Sequence, residues 1–140
     1  MTVSNVETKK LFRASIITPE ALALETNVSS VQIPAHDGMI GLLTHRAPLL
    51  TKLGVGILSM NTPAGPKQFL ISGGYAQMKD NVLTILTDEA LAQEQITAAT
   101  VAAENAKLAA IHGTDAATLA RRQIAQARIH ALETLLGQAR

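Results

Sequence analysis

All five prolines and seven of the nine glycines of this 140-residue chain fall in residues 1–88, whereas sixteen of its twenty-three alanines fall in residues 89–140. Proline removes a backbone donor and glycine weakens regular elements, so the first part is confined to short segments separated by turns. Alanine is the best helix former, so the second part favours helix. The division predicts two domains, residues 1–88 and 89–140, built on different physics.

The first part breaks into segments rich in Val, Ile, Leu and Thr at 11–18, 28–34, 39–43, 55–61, 68–72, 74–78 and 82–87, bounded by Gly, Pro, Asn or Asp. That spacing predicts an antiparallel sandwich or barrel. Lys79-Asp80-Asn81 predicts a tight hairpin, Asn tolerating positive φ, and Pro63-Ala64-Gly65-Pro66 predicts another. Val31 and Ile33 point one way and Ser30 and Gln32 the other, a half-burial suited to two sheets packed about 10 Å apart. Residues 82–87 are nearly apolar on both faces, which predicts a central strand covered on both sides that closes the fold.

From Ile96 the pattern predicts an antiparallel helical hairpin. Thr97 caps a first helix to about Ile111, His112-Gly113 stops it, and Thr114 or Asp115 caps a second helix to about Leu136. Ile124, Ile129, Leu132, Leu135 and Leu136 form one stripe of that helix, opposite Gln126, His130 and Glu133. The stripe is too alanine-rich for a deep core between two helices, so the pair packs closely but weakly and is released at modest cost.

Composition narrows the function. Aromatics are 2% of the chain, Phe12, Phe69 and Tyr75 alone, which removes the stacking platforms of a single-stranded nucleic-acid binder. A formal net charge of +1 gives no field to steer the chain toward polyanions. Zero cysteines remove disulfides, thiolate metal sites and cysteine nucleophiles, and fit a reducing compartment. No apolar run approaches the ~18 residues that span a bilayer, so direct membrane insertion is not expected. Residues 1–10 carry neither a secretory signal nor an Arg-rich transit peptide and read as a short disordered lead-in to a cytosolic protein.

Candidate chemistry is sparse. His36-Asp37 lacks further ligands at metal spacing, and Asp37-Gly38 is a turn dipeptide, so a turn outweighs a metal pair. Gly54-Val55-Gly56 and Ser72-Gly73-Gly74 continue into no phosphate loop and mark bulges or close backbone approach. Ser72 lacks a nucleophile elbow. No catalytic residues, metal or cofactor are expected. Arg121 and Arg128 lie on the same side of the second helix, within the arc of Ile124, Ala125 and Leu132. Their stems either snorkel to water or pair inside the hairpin, for example near Glu104, or they offer a face to an acidic partner when the hairpin opens.

The order and spacing of Thr18-Pro19-Glu20, Gly38-Met39-Ile40-Gly41-Leu42-Leu43, Ala47-Pro48-Leu49-Leu50, Ser72-Gly73-Gly74-Tyr75 and the run from Val82 to Ala90 resemble the epsilon subunits of bacterial and chloroplast-type F-type ATP synthases. The resemblance extends from about Leu11 to the second helix. It implies a flattened antiparallel β-barrel or sandwich of about ten strands followed by an α-helical hairpin. It also implies a non-catalytic central-stalk (rotor) subunit, peripheral to the membrane at the cytoplasmic face of the bacterial inner membrane, coupling proton-driven rotation to ATP synthesis.

Its partners would be the gamma subunit, the c-ring loops, and the alpha/beta catalytic head, the last through C-terminal helices that inhibit ATP hydrolysis. Carried over by motif, the c-ring contact falls on His36, Asp37, Gly38 and Met39, with Thr44, His45 and Arg46 nearby. The chain departs from the family where Met39 replaces a frequent acidic residue and Thr44-His45-Arg46 replaces Pro-Gly-His. Arg121, Arg122 and Arg128 are the candidates for the inhibitory contact with the beta subunit. Some members bind ATP through Ile-Asp-x-x-Arg-Ala. The corresponding run here, Ile96-Thr97-Ala98-Ala99-Thr100-Val101, keeps a capping residue at Thr97, but Thr100 lacks the guanidinium, so ATP binding is expected to be weak or absent. Two other readings need no synthase: a β-sandwich interaction adaptor with a helical dimerisation hairpin, and a small hydrolase using His36, Asp37 or Ser72.

Overall fold

The computed structural model describes residues 11–138, and the expected lead-in over residues 1–10 lies outside the described residues. Ten strands precede two helices: β1 (Phe12–Ile17), β2 (Leu22–Val28), β3 (Ser30–Ala35), β4 (Gly38–Leu43), β5 (Leu49–Lys52), β6 (Val55–Thr62), β7 (Gly65–Ser72), β8 (Tyr75–Lys79), β9 (Val82–Leu86) and β10 (Ala90–Ala92). A single 3-10 turn, Gln93–Gln95, leads into α1 (Ala98–Ala109) and α2 (Ala116–Gln138). The strands form two five-stranded sheets, ordered β2-β1-β9-β8-β5 and β10-β7-β6-β3-β4. The expected sandwich followed by a helical hairpin is the observed architecture.

Strand alternation builds the core. Phe12, Ala14, Ile16, Met78, Leu83 and Ile85 of the first sheet face Val31, Ile33, Leu42, Leu58, Met60 and Ile71 of the second, all buried. The two expected hairpins form with two-residue loops, Pro63-Ala64 between paired Thr62 and Gly65, and Asp80-Asn81 between paired Lys79 and Val82. Asp80 and Asn81 take φ of 52° and 64°, the geometry whose twist matches the flanking strands.

Four expectations change. β9 is central in its sheet, as its composition implied, and completes it by joining β1, to which it is parallel, to β8, but Val82 and Leu86 on its outer face are exposed, and β10 rather than β9 is the last strand. Second, β10 lies on the hairpin's side of the residue-88 boundary and pairs with β7, because Ala90 and Ala92 back onto the core while Leu91 faces the arm. Third, α1 stops at Ala109, before His112-Gly113, and Arg122 rather than glycine satisfies carbonyls at its end. Fourth, Ile124 of the apolar stripe is 52% exposed, because only the C-terminal half of α2 reaches the sandwich.

That half forms a second, smaller core. Leu132, Leu135, Ala131 and Ile96 pack on Leu70, flanked by Val55, Ile57 and Leu91. Leu70 points outward from β7 while its neighbours Phe69 and Ile71 point inward, so one strand serves both cores. Thr97 caps α1: its hydroxyl accepts from the Thr100 amide at 3.3 Å while the Thr100 hydroxyl accepts from the Thr97 amide at 3.2 Å. Asp115 caps α2 by accepting from the Thr118 amide and hydroxyl, at 3.2 and 2.6 Å.

Candidate interaction surfaces

Because each strand reverses on the one before it, the odd-to-even connections gather at one end of the sandwich and the even-to-odd connections at the other. At the first, the Gly74 end, backbone bonds tie the turns together: His36 donates to Lys52, Gly54 to Pro34, and Leu53 to Gly74. At the second, the Asn81 end, the Asn81 carboxamide bonds the Thr44 hydroxyl and accepts from the His45 amide at 2.7 Å.

The residues expected to meet the c-ring therefore split. His36 and Asp37 form the β3–β4 turn at the Gly74 end, closed by Gly38 at φ 140°, a conformation that favours glycine. Thr44, His45 and Arg46 lie at the Asn81 end, a strand length of roughly 17 Å away. They are joined by β4, an edge strand with exposed Met39, Gly41 and Leu43. His36 Nδ1 lies 3.4 Å from the Lys52 carbonyl and 4.0 Å from Asp37, and no group of three or more metal-ligating side chains occurs among the described residues.

A surface absent from the sequence reading lies on the outer face of the first sheet. Register places Leu22 beside Ile17, Ile17 beside Leu86 and Leu86 beside Tyr75, so four neighbouring strands present one apolar row. Leu22, Leu86 and Tyr75 are 54%, 51% and 53% exposed. The row edges a shallow groove of about 510 Å³, with Pro19, Thr87 and Asp88 on its rim. A bulge between Ile16 and Ile17 turns Leu22 outward, and the parallel β1–β9 pairing sets Ile17 beside Leu86; neither is legible in local periodicity. The outer face of the second sheet is divided instead, with apolar Val55, Ile57 and Leu70 under α2 and a hydrogen-bonded polar set, Ser30 with Asn61 and Ser59 with Gln68, left open.

The three hairpin arginines have three fates. Arg121 is exposed and makes no hydrogen bond or ion pair among the described residues. Arg122 donates to the carbonyl of Ile111 at 2.8 Å, where its charge also complements the helix end. Arg128 donates to Glu104 of α1 and to the Ser72 hydroxyl, each at 2.7 Å, and to Glu89. The Glu104 pairing was legible as a charge match; Ser72 and Glu89, separated from Arg128 by 56 and 39 residues, were not. Burial pushes the Glu104 carboxyl up, but its bonds to Arg128 and Lys107 outweigh this and hold it below its ordinary range. Burial likewise opposes the Arg128 cation, and its two carboxylate partners more than compensate, raising it above its ordinary value.

A model of the β-sandwich domain of the ATP synthase Delta/Epsilon chain matches residues 11–93. The chain belongs to that family. It is 37% identical over 79 residues to the ATP synthase epsilon chain of Rhodopirellula baltica, a match covering 56% of this chain and 62% of that one. It is also 31% identical over 108 residues to ATP synthase epsilon chain 1 of Nitrobacter hamburgensis, covering 74% and 80%. The chain thus spans a little under two thirds of the Rhodopirellula relative. A chain of the Euglena gracilis mitochondrial ATP synthase, solved with OSCP, F1 and c-ring, superposes with a TM-score of 0.76 at 26% identity, covering 90% of this chain and 81% of that one. A chain of the Tetrahymena thermophila mitochondrial ATP synthase central stalk and c-ring shares the fold, with a TM-score of 0.67 at 15% identity over 87% of this chain and 93% of that one.

Proposed function

We propose that this chain is a non-catalytic central-stalk subunit of an F-type ATP synthase, coupling proton-driven rotation to ATP synthesis from the cytoplasmic face of the membrane. The sandwich grips its neighbours and the helical pair restrains ATP hydrolysis. The observation that carries the reading is the Leu22–Ile17–Leu86–Tyr75 row: a contiguous apolar strip, on a sheet face that also exposes Val82 and Leu50, needs a protein partner. The gamma subunit is that partner, and the exposed β4 edge with its flanking turns at His36-Asp37 and Thr44–Arg46 takes the c-ring loops. Family membership and the likeness to a chain solved together with F1 and the c-ring support this assignment. No helix among the described residues is long and apolar enough to cross a membrane.

At the start of α1, the position where ATP-binding relatives carry arginine is Thr100, whose hydroxyl is committed to the cap, which supports weak or absent ATP binding. In the docked arm only Arg121 of the three arginines is available to an acidic surface. Contact through Arg128 requires the arm to leave the sandwich.

Co-purification with a gamma-type subunit tests the assignment. The full chain is expected to be retained, and Tyr75→Asp with Leu86→Asp to lose at least about 100-fold in affinity, since charges replace two anchors of an apolar contact. Undiminished binding by the double variant would place gamma elsewhere, and no binding by the parent chain would remove the reading.

A further inference from the structure

Arg128 is the point where three elements meet. From the middle of α2 its Nε donates to Glu104 of α1, while Nη1 donates to Ser72 at the end of β7 and to Glu89 in the turn after β9. The sandwich side of this junction is built in advance. The hydroxyl of Thr87, 4% exposed, lies within hydrogen-bond distance of the carbonyls of Ser72, Gly73 and Glu89 at 3.2, 2.8 and 3.1 Å, and the Ser72 amide donates to the Glu89 carbonyl. The two residues that receive Arg128 are thus tied to each other by bonds made within the sandwich itself.

We propose that Arg128 is a latch: its fork, seated on Ser72 and Glu89, holds the helical pair against the sandwich, and releasing Glu89 lets the two helices depart together. The proposal concerns the chain alone and stands apart from the assembly reading above. Three features support it. Glu104 is the only buried residue of α1, and that helix packs mainly on α2, with half-buried Val101 against the Leu70 cluster, so the polar link from α1 toward the sandwich among the described residues runs through Arg128. Arg122 binds the end of α1 to α2 independently, so the helices stay paired when the latch opens. The charges around the guanidinium are Glu89 from the sandwich, and Glu104 and Lys107 from α1. Without Arg128, the Glu104 and Glu89 carboxylates lose the cation they share, and Lys107, paired with Glu104 alone, leaves Glu89 uncompensated, so the junction loses its attraction. Two separable roles thus fall on arginines six residues apart, Arg122 within the arm and Arg128 between arm and sandwich.

Amide hydrogen exchange on the full-length chain tests this with Arg128→Gln, Glu89→Gln and Arg122→Gln. Arg128→Gln and Glu89→Gln are expected to speed exchange of amides 129–135 by about tenfold or more, the range for losing a mostly buried ion pair, while β1 and β9 keep parental protection. Arg122→Gln is expected to speed exchange only in the last turn of α1. Arg128→Lys should fall between, because one ammonium lacks the planar fork that reaches two carboxylates and a hydroxyl. Parental protection of 129–135 in both Arg128→Gln and Glu89→Gln overturns the latch. So does faster exchange in β1 and β9, which would show a loss of general stability rather than a local release.

Discussion

Leu132→Ala asks whether the arm docks as an energetic unit of its own. Leu132 is fully buried against Leu70, Ile96, Ala131 and Leu135, and this cluster shares no buried member with the core between the sheets. Truncating such a leucine costs about 2–5 kcal/mol. The gross gain from docking comes mainly from Leu132 and Leu135, at about 1.5–3 kcal/mol for each side chain, with half-buried Leu136 beside them, and ordering the arm offsets part of it. The substitution therefore removes much of the net docking energy, and its effect stops once the arm is free, because Leu132 contributes nothing to the main core. Exchange at 129–135 should rise about 30-fold or more, equivalent to about 2 kcal/mol, with β1 and β9 unchanged. Leu83→Ala provides the contrast, removing the same atoms from a site of equal burial between the sheets and lowering the stability of the whole sandwich. If Leu132→Ala weakens β1 and β9 as much as Leu83→Ala does, the two clusters are one cooperative unit and the argument fails.

Two further outcomes follow from the geometry. Gly74 sits at φ 103°, and a Cβ there would lie 1.9 Å from the Leu86 carbonyl oxygen and 2.7 Å from the Thr87 Cα, so Gly74→Ala forces two strands apart and should cost more than about 4 kcal/mol in thermal unfolding. Gly65→Ala, at φ 123° in open space, should cost only about 1–2 kcal/mol, and equal losses would refute the close-approach account. Acid should loosen α1 from α2: the Glu104 carboxyl is held below its ordinary value of about 4.5, so its contribution to their pairing is complete above that value and lost as pH falls through the depressed one. Arg128, raised, loses its contribution only in strong alkali, so exchange at 129–135 should be insensitive to pH-dependent release between about pH 5 and 8 once corrected for intrinsic rates; release near neutrality would contradict the assignment.

What could be read from the sequence was what depends on neighbours in the chain. Asp80-Asn81, Pro63-Ala64, the Thr97 cap and the Asp115 cap each rest on side chains a few residues apart, and the structure has them where the turn and cap chemistry put them. The strands that escaped notice are those without their own signal. β2 reads Leu-Ala-Leu-Glu-Thr-Asn-Val, mostly exposed and interrupted by the bulge opposite β1; β5 has four residues, and β10 has three, defined only by pairing with β7. Ile124 misled because a helical wheel shows which residues share a face but not how far along the helix a partner extends. The same limit hid Glu89 and Ser72, which reach Arg128 only after both sheets and the arm are in place.

The position of the arm follows from the divided face of the second sheet. Val55, Ile57 and Leu70 lie toward the Gly74 end, while Ser30, Asn61, Ser59 and Gln68 satisfy one another toward the Asn81 end and give an apolar helix nothing to bury. α2 spans about 34 Å at 1.5 Å per residue, and its side chains on the apolar patch begin past Arg128, so its N-terminal half stays off the sheet, α1 meets the patch at Val101, and Arg128 sits at the border. That border lies at the same end as the exposed Tyr75–Leu86 row, and the chain from Leu86 through Thr87 and Asp88 to Glu89 runs without a break from the row to the Arg128 catch.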